Sequence, residues 1–169
     1  MSKVFLALGA NLGDRRLNFI KSIDQLKKIG NIKAIGGLYQ SSAYGYTKQP
    51  FFYNSALLLD TTLAPDALLV ACKGIEKLVG RKYRRRWRPR ELDLDIIFYG
   101  NIVFNNKKLT VPHPDFHNRR FVLLPLVDIC DNFISPTHTM TIAEILKNCP
   151  DTTSIKLISK KWYSNEPQL

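Results

Sequence analysis

Apolar residues crowd positions 3–8 in a run of strand length, and the polar turn Gly9-Ala10-Asn11-Leu12-Gly13-Asp14 ends it. Beyond the turn the spacing changes. Leu17, Ile20, Ile23 and Leu26 recur every third residue, widened by Phe19 and Ile29, which is one face of a helix. Asp14 suits its N-cap and Gly30 its stop, so the helix is expected through about residue 29. Residues 32–39 and 53–59 read as two further strands, separated by a polar loop over 41–50 that contains Gly and Pro. Pro65 suits the first turn of a second helix with Leu68, Leu69, Cys72, Ile75, Leu78 and Val79 as its buried stripe, stopped by Gly80.

Residues 91–99 alternate as a strand, which Gly100-Asn101 is expected to turn into a short partner at 102–104. A helix over 118–128 carries Pro125, Thr141 and Glu144 have capping-box spacing for another, and 155–159 is a last β-like run. The order β-α-β-β-α-β over residues 1–100 predicts an α+β fold: a ferredoxin-like sandwich with a largely antiparallel sheet and a C-terminal extension. Residues 1–162 are expected to form a single domain, with 163–169 as a tail.

Composition narrows the class. At 169 residues and 45% apolar the chain can fill a core without staples, and it has no apolar run of the ~18 residues that a membrane span needs. The amino end enters a strand at once with no secretory leader, so a cytoplasmic address is expected. Cys72, Cys130 and Cys149 are odd in number and widely spaced, which favours free thiols over a disulfide framework. In this length no fused second enzyme fits, and a monomer with one activity is expected.

Charge is uneven. The net charge is +11, and residues 81–90, Arg-Lys-Tyr-Arg-Arg-Arg-Trp-Arg-Pro-Arg, supply seven positive charges and no negative one; the other 159 residues keep +4. A charge run is usually a solvated face. Here, however, six arginines outnumber one lysine, and the planar guanidinium fork suits phosphate. Such a segment, with only Tyr83 and Trp87 to pin it, is expected to be mobile and to close over a bound polyphosphate.

Directly after it comes Glu91-Leu92-Asp93-Leu94-Asp95-Ile96. On a strand the two aspartates share a face, with Cα atoms about 6.5–7 Å apart. Two such carboxylates can hold Mg²⁺ beside a polyphosphate. An isolated Asp-x-Asp is more often the solvated face of an antiparallel strand; the adjacent cations shift the balance. A rival reading is an RNA- or DNA-binding module, with Tyr83 and Trp87 stacking on bases, but no RNP1-like run is present. The loop over 9–14 lacks the ending of a P-loop, and Pro112 and Pro114 exclude the helix that would make His113 and His117 a zinc pair. A flat heterocycle needs rings on both sides and an amide at its edge, and Phe52, Asn54 and Phe121 are candidates.

Four strings occur in order: Leu8-Gly9-Ala10-Asn11-Leu12-Gly13-Asp14, Gln49-Pro50-Phe51-Phe52-Tyr53-Asn54, Arg86-Trp87-Arg88-Pro89-Arg90-Glu91-Leu92-Asp93-Leu94-Asp95 and Val111-Pro112-His113-Pro114. Together they resemble the 6-hydroxymethyl-7,8-dihydropterin pyrophosphokinase family over residues 3–162. The resemblance implies transfer of the β,γ-pyrophosphoryl group of ATP to the pterin hydroxymethyl oxygen with release of AMP, a step of folate biosynthesis. It implies two Mg²⁺ on Asp93 and Asp95, with Asp93 also placed to orient or deprotonate the hydroxymethyl group, and a phosphate clamp of Arg81 and Arg90. Lys73, Glu76, Arg86, Trp87, Ile96, Lys108, Thr110, His113 and Arg119 would serve ATP. Ser41, Ser42, Tyr44, Phe52, Asn54 and Phe121 would serve the pterin.

The chain departs from the common pattern at Lys73, where a glutamine often contacts nucleotide, at Ser42 in place of proline, and at Pro114 in place of an aromatic residue. Its basic segment is one residue shorter than in some relatives, so Lys82, Arg84 and Arg85 receive no individual roles. A nucleotide-binding relative without turnover is a third possibility.

Overall fold

The computed structural model describes residues 1–43 and 48–164. Its spine is β1 (Ser2–Ala10), where the apolar run buries Val4, Phe5, Leu6, Ala7, Leu8 and Ala10. Burial on both faces of one strand requires cover on both sides, and the helices supply it. The helix α1 (Arg15–Leu26) starts at Asp14, whose side chain accepts from Leu17 N–H at 3.0 Å. Next come β2 (Asn31–Ile35), β3 (Leu38–Ser41) and β4 (Phe52–Thr61). The helix α2 (Pro65–Val79) has Pro65 in its first turn and ends at Gly80, whose φ of +115° is open to glycine and costly for other residues.

The chain continues through β5 (Asp93–Tyr99), the small hairpin β6 (Phe104–Asn105) and β7 (Thr110–Val111), and a 3-10 turn over Phe116–Asn118. It ends with α3 (Arg120–Cys130), α4 (Ile142–Lys147) and β8 (Ile155–Ser159). All the pairings are antiparallel, in the order β5-β1-β4-β3-β8, with β2 also on β4. This is the expected α+β frame with one addition. The helices α1 and α2 cover one face through Phe19, Ile23, Leu26, Leu68, Cys72 and Ile75. The C-terminal α3 and α4 cover the other through Val122, Leu123, Leu126, Ile142 and Ile145, over Phe5, Ala7, Ile97 and Phe98. The molecule therefore has three layers, and each fully buried Phe or Leu contributes roughly 1.5–3 kcal/mol.

Several local expectations give way to packing. The run at 32–39 is two strands, broken at Gly36-Gly37, and a side chain at Gly36 would run into the Pro125 carbonyl of α3. The helix α1 stops at Leu26, short of residue 29, and Gly30 is required for a different reason, the close approach of the Asp60 carbonyl. Leu17 and Leu78 lie on the periodic stripes yet are 42% and 75% exposed, since the sheet reaches neither. Residues 102–103 form no strand; β6 begins at Phe104 and pairs with β7. The capping box of α4 forms as expected, Thr141 and Glu144 bonding each other's backbone N–H. Trp162 is 3% exposed in the α1–α2 core, where its indole N–H donates to Gly36 O at 2.8 Å.

Candidate active site

Strand register builds the site. Gly9, near the end of β1, lies opposite Asp93 on one side and Asn54 on the other, and Ala7 lies opposite Asp95. The ends of three adjacent strands thus bring the acid pair and the Asn54 amide to one place. A cleft of about 640 Å³, open mouth included, forms there, walled by Phe52, Trp87, Arg90, Arg119 and Phe121. Asp93 and Asp95 point into it from the same face of β5, while Leu94 is turned into the core.

The charged wall is a network centred on Asp93. Arg81 donates to its Oδ1 and Arg90 to its Oδ2, both at 2.7 Å. Arg81 also pairs with Glu76 at 2.6 Å. Glu76 is 2% exposed on α2 and accepts from Lys73 Nζ at 2.9 Å and from Leu94 N–H at 2.8 Å. Burial opposes the charge on Asp93, but the Arg90 and Arg81 cations outweigh it and hold the carboxyl below its ordinary value. Asp95 has the reverse balance. Burial first, then the Asp93 charge, push it up to about 6, against the weaker pull of Lys73 and Arg119. The ends of the basic segment are therefore held by ion pairs, Arg84 with Glu91 included, rather than by apolar contacts. Between the ends, Tyr83 is 98% exposed, while the Arg86 guanidinium lies 4.8 Å over the ring of Trp87, which walls the cleft.

The residues expected at the nucleotide are spread more widely. His113 N–H donates to Ile97 O at 2.9 Å, which ties its loop to β5. Its Nδ1 accepts from Asp115 N–H at 3.2 Å. Burial and the Arg119 charge push the imidazole down to about 4, so it is neutral, with its hydrogen on Nε2. Arg119 is braced by Asp115 at 2.9 Å. Thr110 lies on β7 and bonds Asn105, and Lys108 is exposed in the preceding turn. Ile96 is 3% exposed in the α1–α2 core, on the face opposite the aspartates, so only its backbone is near the site.

The neutral wall is built by β3, β4 and α3. Asn54, 3% exposed, donates its amide N–H to Ser41 Oγ at 2.8 Å. That leaves the amide oxygen free of the serine. Phe52, Phe121 and Ser42 line the cleft beside it. Tyr44 lies outside the described residues. Sequence reading gave no role to Asn11, Gln49, Glu91 or Asp115, which hold the named residues in place. The available signal was Asn11 itself, a polar side chain at a buried strand end that must find partners.

The family model for 7,8-dihydro-6-hydroxymethylpterin-pyrophosphokinase (HPPK) matches residues 5–131. The chain belongs to this family. The chain is 41% identical over 144 residues to the 2-amino-4-hydroxy-6-hydroxymethyldihydropteridine pyrophosphokinase of Aquifex aeolicus, covering 85% of this chain and 90% of that one. The protein of the same description from Haemophilus influenzae is 37% identical over 160 residues, covering 93% and 99%. A crystal structure of Plasmodium falciparum HPPK-DHPS superposes with a TM-score of 0.69 at 15% identity. That match covers 87% of this chain and 44% of the Plasmodium chain, and it shows the shared fold.

As an HPPK, the chain moves the pyrophosphoryl group of ATP to 6-hydroxymethyl-7,8-dihydropterin in folate synthesis. The polynucleotide-binding alternative finds no support in these matches. Among the described residues, no helix is long and apolar enough to cross a membrane.

Proposed function

We propose that this HPPK is Mg²⁺-dependent, that Asp93 and Asp95 hold two ions, and that the two walls of the cleft divide the substrates between them. The donor set fits magnesium, a hard ion that takes one or two carboxylates and completes its shell with substrate phosphates and water. The raised Asp95 carboxyl fits too, since a buried like-charge pair calls for a cation. When bound, magnesium supplies neutralisation of the triphosphate charge. The remaining work belongs to the chain. Arg81 and Arg90 clamp the phosphates and stabilise charge in transfer, with Arg86 and Trp87 closing over them. Glu76 and Lys73 set Arg81. His113, Arg119, Thr110, Lys108 and the Ile96 backbone hold the rest of the nucleotide.

On the other wall, Phe52 and Phe121 stack the pterin, and Asn54, with Ser41, Ser42 and Tyr44, reads its edge. Asp93 orients or deprotonates the hydroxymethyl group. One domain over residues 1–162, acting as a cytoplasmic monomer, completes the reading. The observation that carries it is the register that puts Asp93 and Asn54 on either side of Gly9. Incubation with ATP, Mg²⁺ and 6-hydroxymethyl-7,8-dihydropterin is expected to release AMP in step with pterin diphosphate, and excess EDTA is expected to stop it. ADP as the nucleotide product, or full turnover in EDTA, would overturn the reading.

A further inference from the structure

Between the two walls lies a pair of amides that neither substrate set uses. Asn11, 2% exposed at the end of β1, spends its whole side chain on the loops around the cleft. Its Nδ2 donates to Gln49 Oε1 at 2.9 Å and to Pro50 O at 3.1 Å. Its Oδ1 accepts from Arg90 N–H at 2.9 Å, and its own N–H donates to Arg90 O at 3.0 Å. Gln49 extends the chain of bonds, donating through Nε2 to the Trp87 carbonyl at 3.0 Å. The segment that leads into Phe52 is thereby fastened to the segment that ends in Arg90.

The chemistry demands amides. Asn11 faces two carbonyl-type acceptors on one atom and an N–H on the other, and Gln49 likewise needs an acceptor at one end and a donor at the other. An ionised carboxylate or an alkyl group cannot offer both, and a hydroxyl offers them on one atom with a single hydrogen, whereas the amide spreads them over two. Trp87 shows what the fastening accomplishes. Its φ is +68°, a left-handed conformation that is unusual for a bulky residue and persists only when the surroundings enforce it. In that conformation Trp87 lines the cleft beside Arg90.

We propose that Asn11 and Gln49 are positioning residues: they form a latch that sets Trp87 and Arg90 in register with the Phe52 wall, so that the nucleotide and pterin halves of the cleft are assembled together. The latch rests on the HPPK reading of the cleft and adds to it a coupling between its halves. Gln49 is half-buried and at a loop position, so replacing it is compatible with folding.

The test uses the full chain and Gln49→Met, with Gln49→Glu as a companion that keeps the acceptor for Asn11 and loses the donor for Trp87. The chain has two tryptophans, and Trp162 is buried, so acrylamide quenching of the accessible fluorescence reports Trp87. Relative to the parent, quenching is expected to rise about two-fold as the Trp87 segment is released. Turnover is expected to fall about ten-fold or more while the KM for ATP stays within about three-fold, the split of a misplaced group rather than a lost binding contact. The melting temperature serves as the control; if Gln49→Met melts well below the parent, Gln49→Glu carries the same two readouts. Parent-like quenching, or released Trp87 with parent-like turnover, overturns the latch. If the parent itself releases no AMP, the activity reading fails, and the quenching arm alone decides whether Gln49 tethers Trp87.

Discussion

The two walls of the cleft are held by different forces. On the β5 side, Glu76, Arg81, Arg90 and Asp93 form a chain of ion pairs at 2.6–2.7 Å, in which every cation near Asp93 already has an anionic partner. On the β4 side, Asn54 and Ser41 share one neutral hydrogen bond, and Phe121 packs against the apolar cluster that α3 and α4 form with the sheet. Under the proposed division of substrates, the charged wall exchanges internal partners for phosphate, whereas the neutral wall is formed in advance. On that proposal, substitutions in the two walls are expected to separate kcat from pterin affinity.

The sharpest break is at Asp95, which faces the cleft and carries a charge that burial and Asp93 both oppose. Asp95→Ala is expected to lower turnover by about three orders of magnitude or more. In metal-free buffer it should melt no lower than the parent, because the substitution removes a buried repulsion. A melting temperature well below the parent's would make Asp95 a structural residue. Next come Arg81→Ala and Arg90→Ala. Each is expected to cost roughly 10²-fold in kcat, with pterin affinity by calorimetry within a few-fold; equal losses in both would erase the distinction between the walls. Phe121→Ala should do the opposite, weakening pterin binding roughly ten-fold while the affinity for an ATP analogue stays put.

The smallest effect is pH-linked and belongs to the neutral wall. Asp151 accepts from the Arg120 and Thr153 N–H groups. Burial raises its carboxyl, but these hydrogen bonds outweigh burial and hold it below its ordinary value. A depressed folded-state pKa gives stability that is present above the unfolded-state value and lost as pH falls through the folded one. Melting temperatures followed from pH 6 down to 3 should therefore fall less steeply in Asp151→Asn than in the parent. Parallel curves would show that Asp151 does not brace the start of α3.

How much of this was legible depended on whether the determining contacts were local. Alternation alone put Asp93 and Asp95 on one face, Pro65 and Gly80 bounded α2, and Thr141 with Glu144 announced α4. Leu17 and Leu78 satisfied the same periodicities and are exposed, because a stripe does not say how far the opposing sheet extends. The need for glycine at position 36 was illegible because it answers to Pro125, far along the chain. In the site, Glu76 was named only through the resemblance, and its bond to Leu94 N–H, which fixes it to β5, depends on tertiary contact. The roles of Asn11 and Gln49 belong to loops that meet only after folding.

Gly36 has one more effect. The absence of a side chain there lets the Pro125 carbonyl settle against the sheet, and the same helix carries Phe121 to the cleft. Gly36 is thus a shim of zero thickness beneath a lever. A single methyl group added at that point would force the strand break and α3 apart, so a residue outside the cleft helps set where Phe121 stands.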